Sequence, residues 1–115
     1  MGKVTLYGIS NCDTVRKAKR WLDAGEIEYE FHDFRKNGLD ETMVRKWAKA
    51  LGWEPLINKR GTTWRKLSTA QKDSLTSDQA IKLMVEYPTV IKRPVLQLGV
   101  AYYVGFDEAR YQSLF

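Results

Sequence analysis

The chain has 115 residues, 43% of them apolar and 12% aromatic, and a formal net charge of +5. That length can bury a core without disulfide or metal staples and most simply makes one domain over residues 1–115. No apolar run approaches the ~20 residues of a membrane-spanning helix, so no membrane partner is expected, and the positive balance points to an anionic partner without naming it.

Lys3-Val4-Thr5-Leu6-Tyr7 reads as a strand of β-branched and aromatic residues ended by Gly8. Met1-Gly2 leads straight into that pattern, which predicts no signal peptide. From Cys12 to Ala24, the residues Val15, Ala18, Trp21 and Leu22 recur at helical spacing. Arg16, Lys17, Lys19 and Arg20 fill the outer surface of that helix, and Gly25 suits its C-cap. Tyr29 and Phe31 alternate with Glu28, Glu30 and His32, as in a half-buried strand. Strand, helix and strand within the first 34 residues imply a parallel pair.

Arg35-Lys36-Asn37-Gly38 is a turn, and Asp40 can cap a helix with Met43, Val44, Trp47, Ala48 and Leu51 on one face, closed by Gly52. Pro55 to Lys59 suggests a short turn of helix, and NKRGTTWRKL after it reads as a basic loop. Thr76 and Gln79 have capping-box spacing ahead of Ala80, Ile81, Leu83, Met84 and Val85, with Pro88 beyond the helix end. Pro94-Val95-Leu96-Gln97-Leu98, a turn at Gly99 and Ala101-Tyr102-Tyr103-Val104 predict an antiparallel hairpin. Asp107 caps a last helix with Ala109, Tyr111 and Leu114. The expected fold is α/β: β-α-β, a helical insertion at about 39–90, then β-β-α.

Cys12 is the only cysteine. No internal disulfide can form, which suits a reducing compartment, so a cytoplasmic location is expected. Thiols react as thiolates, and helix N-termini and nearby cations favour that form. Cys12 stands at the first turn of a helix, with Arg16 one turn along the same face. The loop Gly8-Ile9-Ser10-Asn11 lets backbone approach a ligand. Two readings remain open: an activated nucleophile, or a small buried apolar residue. One Cys and one His cannot furnish a tetrahedral metal shell, so no metal is expected, and His32 is expected to face solvent or an insertion helix. The cations are dispersed along the chain, which argues against nucleic acid as partner.

The strand, YGISNCDTVRKAKRWL, the helical middle, IKRPVLQL and YYVGF together resemble the arsenate reductase (ArsC) family, in particular its YffB-type branch, over essentially the whole chain. The resemblance implies a thioredoxin-like mixed sheet, Cys12 as catalytic cysteine, and Arg93 before a cis-proline at Pro94. It also implies a glutathione-dependent thiol/disulfide oxidoreductase with no bound cofactor. Glutathione would be held by Asn11, Arg16, Arg60, Arg93 and Pro94, pairing with the backbone from Arg93 to Val95. Cys12 has no second thiol in the chain to resolve an adduct, so glutathione or another protein's cysteine must do so. The substrate would be an oxidised or oxyanionic small molecule or protein.

Where arsenate-reducing members carry a histidine before the cysteine, this chain has Gly8. Two of their oxyanion-binding arginines align with Asn58 and Gly105, although Arg60 and Arg65 lie close in sequence. A true arsenate reductase is therefore the weaker alternative. The related Spx-type regulators bind RNA polymerase and carry a Cys-x-x-Cys switch. Val15 stands where the second cysteine would be, which leaves RNA polymerase binding as an alternative without self-contained redox sensing.

Overall fold

Residues 3–115 are described by a computed structural model; Met1 and Gly2, on which the expectation of no signal peptide rests, lie outside the described residues. In chain order the elements are β1 (Val4–Gly8), α1 (Asp13–Ala24), β2 (Glu30–Asp33), α2 (Glu41–Leu51), α3 (Thr62–Arg65), α4 (Thr69–Asp73), α5 (Ser77–Glu86), β3 (Val95–Leu98), β4 (Ala101–Val104) and α6 (Glu108–Leu114). No helix is long and apolar enough to cross a membrane among the described residues. Two compact units result: one runs up to Gly38 and resumes from Arg93 to Phe115, and the other is Leu39–Lys92.

The first unit is a four-stranded mixed sheet in the order β2-β1-β3-β4. β1 and β2 run parallel with Leu6 opposite Phe31, whereas β1 and β3 run antiparallel with Leu6 opposite Leu96. β3 and β4 form the expected hairpin, turning at Gly99 with φ +59°. A two-residue hairpin needs such a left-handed residue. This is the thioredoxin-like β-α-β…β-β-α sheet that the resemblance implied.

Period-two alternation puts Leu6 and Leu96 on one sheet face. Ala18 and Leu22, one turn apart on α1, and Tyr111 of α6 close over them to make the fully buried cluster of this unit. Aromatic edges finish the layer. Tyr111 meets Trp21 and Phe106 edge-on, at 5.5 and 4.8 Å between ring centres, the geometry that ring quadrupoles prefer. Burial pushes the Tyr111 phenol up to about 12, against the pull of the Arg110 charge.

The second unit is helical and self-capped. Asp40 accepts a 2.8 Å bond from the Met43 N–H, and Gly52 ends α2 at φ +81°. Thr76 and Gln79 form both bonds of the expected capping box at α5. Val44, Trp47, Leu56, Ile81, Met84 and Val90 are buried as the core of this unit.

Two expectations need correction here. Glu54–Leu56 is a single 3-10 turn, and Ile57, expected in a helical turn, instead forms an antiparallel bridge with Ile91. The expected basic loop holds α3, and α4 follows it, started by a second capping box between Ser68 and Gln71. Both helices are too short to show an apolar period, although the Ser-x-x-Gln spacing was in plain view.

Candidate active site around Cys12

β1 ends at Gly8, and the chain turns through Ile9, Ser10 and Asn11 before α1. Cys12 is the N-cap of α1, with extended backbone (φ −102°, ψ 127°). Its N–H donates to the Ile9 carbonyl at 3.3 Å, and its carbonyl accepts the first helical bond from the Arg16 N–H at 3.0 Å. Its side chain makes no capping bond, and the thiol is free and half-buried. A helix of 12 residues leaves its first N–H groups without backbone partners, and these face the N-cap position together with the positive end of the dipole.

The loop is kept in shape from beneath by Asp33, which sequence reasoning missed. Asp33 is 4% exposed at the end of β2. Its Oδ1 accepts N–H bonds from Arg35 at 2.8 Å and Lys36 at 3.3 Å, and the Ser10 N–H, two residues before Cys12, also donates to this carboxylate. Asp33 and Asn37 lock the turn reciprocally. The Asp33 N–H donates to Asn37 Oδ1 at 3.0 Å, and the Asn37 N–H donates to the Asp33 carbonyl at 2.8 Å. Burial alone would raise this carboxyl, but the three N–H donors and the Lys36 charge outweigh it and hold the pKa below its ordinary value.

A lowered folded pKa means that the stabilisation is complete above the unfolded value of about 3.9 and is lost as pH falls through the lower folded one. Asp33→Ala, which strands those donors, is expected to cost about 2 kcal/mol in urea unfolding at neutral pH. The deficit should shrink below about pH 4, where the native carboxyl also protonates. A deficit that is the same in acid would remove Asp33 from this role.

A Cβ at Gly8 would stand 2.7 Å from Val15 Cγ2, so glycine at this position permits close packing of β1 on α1. Val15 is itself fully buried. The position that would complete a Cys-x-x-Cys switch is thus part of the core.

The Arg93–Pro94 peptide is cis, as the resemblance implied. Tyr7 pairs with Val95, so Pro94 lies at the same end of the sheet as Gly8 and the Cys12 loop. The Pro94 carbonyl accepts the Gly105 N–H at 2.8 Å, and Val95 is flanked by β1 and β4. The Pro94 carbonyl and both flanks of Val95 are thus already engaged within the sheet. Gly105 is buried at φ +82°, a conformation in which an arginine would be strained. The nearby Arg110 is engaged elsewhere, with Nη2 donating to the Val104 carbonyl at 2.6 Å and the Gly105 carbonyl at 3.3 Å.

The remaining expected residues are spread over the two units. Asn11 is exposed in the loop, and the Arg16 guanidinium closes on Asp13 at 2.7 Å. Arg93 is half-buried in the first unit. Arg60 is exposed in the second unit, in a turn where its N–H donates to Asn58 Oδ1 at 3.3 Å. His32 is half-buried. Its Nε2–H donates to the Gly38 carbonyl at 2.7 Å, and its ring lies 5.1 Å from that of Tyr7.

The solved structure of a YffB protein is 45% identical, with a TM-score of 0.91 over 96% of this chain and 97% of that one. An arsenate reductase (ArsC) related protein from Brucella melitensis is 42% identical, with a TM-score of 0.82 over 96% and 92% of the two chains. The regulatory protein MgsR of Bacillus subtilis is 28% identical over 91% of this chain and 84% of its own. The ArsC family model matches residues 7–114, from the strand before the cysteine to the last helix. The chain belongs to the ArsC family.

Proposed function

We propose that the protein is a thiol–disulfide oxidoreductase in which Cys12 is the nucleophile and glutathione is the resolving thiol. The Cys12 thiolate attacks the glutathione sulfur of a mixed disulfide R–S–S–G, forming Cys12–S–S–G and releasing R–S⁻, which takes a proton from solvent. The thiolate of a second glutathione then attacks the glutathione sulfur of the adduct, releasing Cys12 and leaving oxidised glutathione. The net exchange is R–S–S–G + GSH → R–SH + G–S–S–G: the R sulfur is reduced to a thiol, the sulfur of one free glutathione is oxidised to a disulfide, and the protein ends as it began.

The observation that supports this reading is the placement of the chain's single thiol at the N-cap of α1. It lies at the sheet end that also carries the cis Arg93–Pro94 peptide. Residues aligned with the arsenate-binding set speak against an oxyanion substrate. Gly8 packs on Val15, Gly105 is in a left-handed conformation, and Asn58 shapes a turn. The reading assigns the protein to a reducing compartment such as the cytoplasm, where free glutathione is abundant.

Incubation with oxidised glutathione followed by intact-protein and peptide mass spectrometry is expected to show one glutathionyl adduct, on Cys12, removed by reduced glutathione. No adduct on Cys12 would sink the first step. Turnover with thioredoxin but not glutathione would replace the resolving thiol.

A further inference from the structure

Four cations, Arg16, Lys17, Lys19 and Arg20, stand within five residues of α1. Two of them are used within the unit. Arg16 pairs with Asp13, and the Lys19 ammonium sits 3.5 Å above the Phe31 ring centre. Lys17 and Arg20 are exposed and make no ion pair with the described residues. Beside them lies a shallow, open depression of about 350 Å³ lined by Lys17, Arg20, Trp21, Phe106 and Glu108. Its lining is two cations, two aromatic rings and one carboxylate.

That combination selects among ligands. A simple inorganic anion would meet Glu108 and gain nothing from the rings. A purely apolar molecule would desolvate three charges without compensation. A peptide answers every wall: an apolar side chain against Trp21 and Phe106, a carboxylate on Lys17 and Arg20, and a backbone N–H toward Glu108. Both sides of the depression continue along the chain toward the elements around Cys12. Cys12 caps the helix that carries Lys17 and Arg20, and Phe106 follows Gly105, which holds the Pro94 carbonyl. Arg20 lies eight residues after Cys12, about 12 Å of helix axis. Three or four extended residues at ~3.3–3.6 Å each span that distance.

We propose that this depression docks an acidic, apolar segment of a protein substrate whose oxidised cysteine reaches Cys12. The inference rests on the reading of Cys12 as nucleophile and names the substrate class as protein. The docking itself can be tested without turnover. A fluorescent peptide carrying Leu and two Asp three to four residues from a Ser in place of the reactive Cys is titrated with the full chain, beside a version with Lys for both Asp.

The acidic peptide is expected to bind at least about tenfold tighter than its lysine version, to weaken with added salt, and to lose that advantage in Lys17→Glu/Arg20→Glu. In turnover, the glutathionylated Cys form of the acidic peptide should lose about tenfold in kcat/KM in the same variant. The mixed disulfide of glutathione and 2-mercaptoethanol should be reduced as before. Equal binding of the two peptides, an equal loss on both substrates, or displacement of the acidic peptide by a single-stranded oligonucleotide overturns the proposal. Acidic-peptide binding that depends on Lys17 and Arg20, with no turnover of either substrate, would leave the docking site standing and remove the catalytic reading of Cys12.

Discussion

Cys12→Ser is expected to reduce mixed disulfides no faster than free glutathione does, and yet to unfold at a higher temperature than the native chain. The activity half follows from composition. No other thiol exists in the chain, and a hydroxyl neither ionises near neutral pH nor forms a disulfide. The stability half follows from geometry. Cys12 occupies the N-cap of α1 with extended backbone, and its side chain caps nothing. Serine is among the preferred residues at that position, because its oxygen accepts an N–H bond from the second or third helical residue. A gain of about 0.5–1 kcal/mol is therefore expected. A sulfur where a better cap would fit is what a functional position looks like when stability is traded for chemistry. Paired thermal melts and glutathione-coupled assays read both halves. Retained turnover in the serine variant would end the nucleophile reading, and an unchanged or lower melting temperature would end the capping argument.

Gly8→His, the change that would restore the histidine of arsenate-reducing relatives, is expected to destabilise the fold by about 3 kcal/mol or more and to confer no arsenate reduction. The first atom of any side chain there would lie 2.7 Å from Val15 Cγ2. Val15 cannot step aside easily, because it is β-branched, fully buried and in the first turn of α1. An imidazole adds a polar ring in a buried position. Gly8→Ala tests the packing part alone, with an expected cost of about 1–3 kcal/mol. Adding Val15→Ala should recover much of that cost, so the two changes couple in a double-mutant cycle. Additive costs would show that the two positions do not constrain each other. Coupling would explain why this chain combines glycine at 8 with valine at 15.

Periodicity carried most of the fold. Leu6, Ala18, Leu22, Leu96 and Tyr111 lie on faces readable from the order of apolar residues, and Asp40 and Thr76 cap helices as their spacing requires. These signals are local, written within one or two turns of chain, so no partner need be known to read them. Cys12 at a helix start belongs to the same class. The cis peptide at Pro94 came through the resemblance, because few X–Pro bonds in folded proteins are cis and no neighbouring residue announces one.

Other features were decided by contacts between segments far apart in sequence. Asp33 looks like one more acidic residue at a strand end until β2 pairs with β1 and brings it under Ser10. Gly8 looks like a hinge until α1 lays Val15 against it. Arg110 looks like a surface cation until the end of β4 presents two carbonyls to it. The engagement of the Pro94 carbonyl by Gly105, and the depression beside Lys17 and Arg20, likewise exist only once β4 and α6 have folded back. Apolar faces and caps are set by neighbours along the chain. The roles of a buried carboxylate, a crowded glycine and an unpaired cation are set by whatever the packed sheet carries to them.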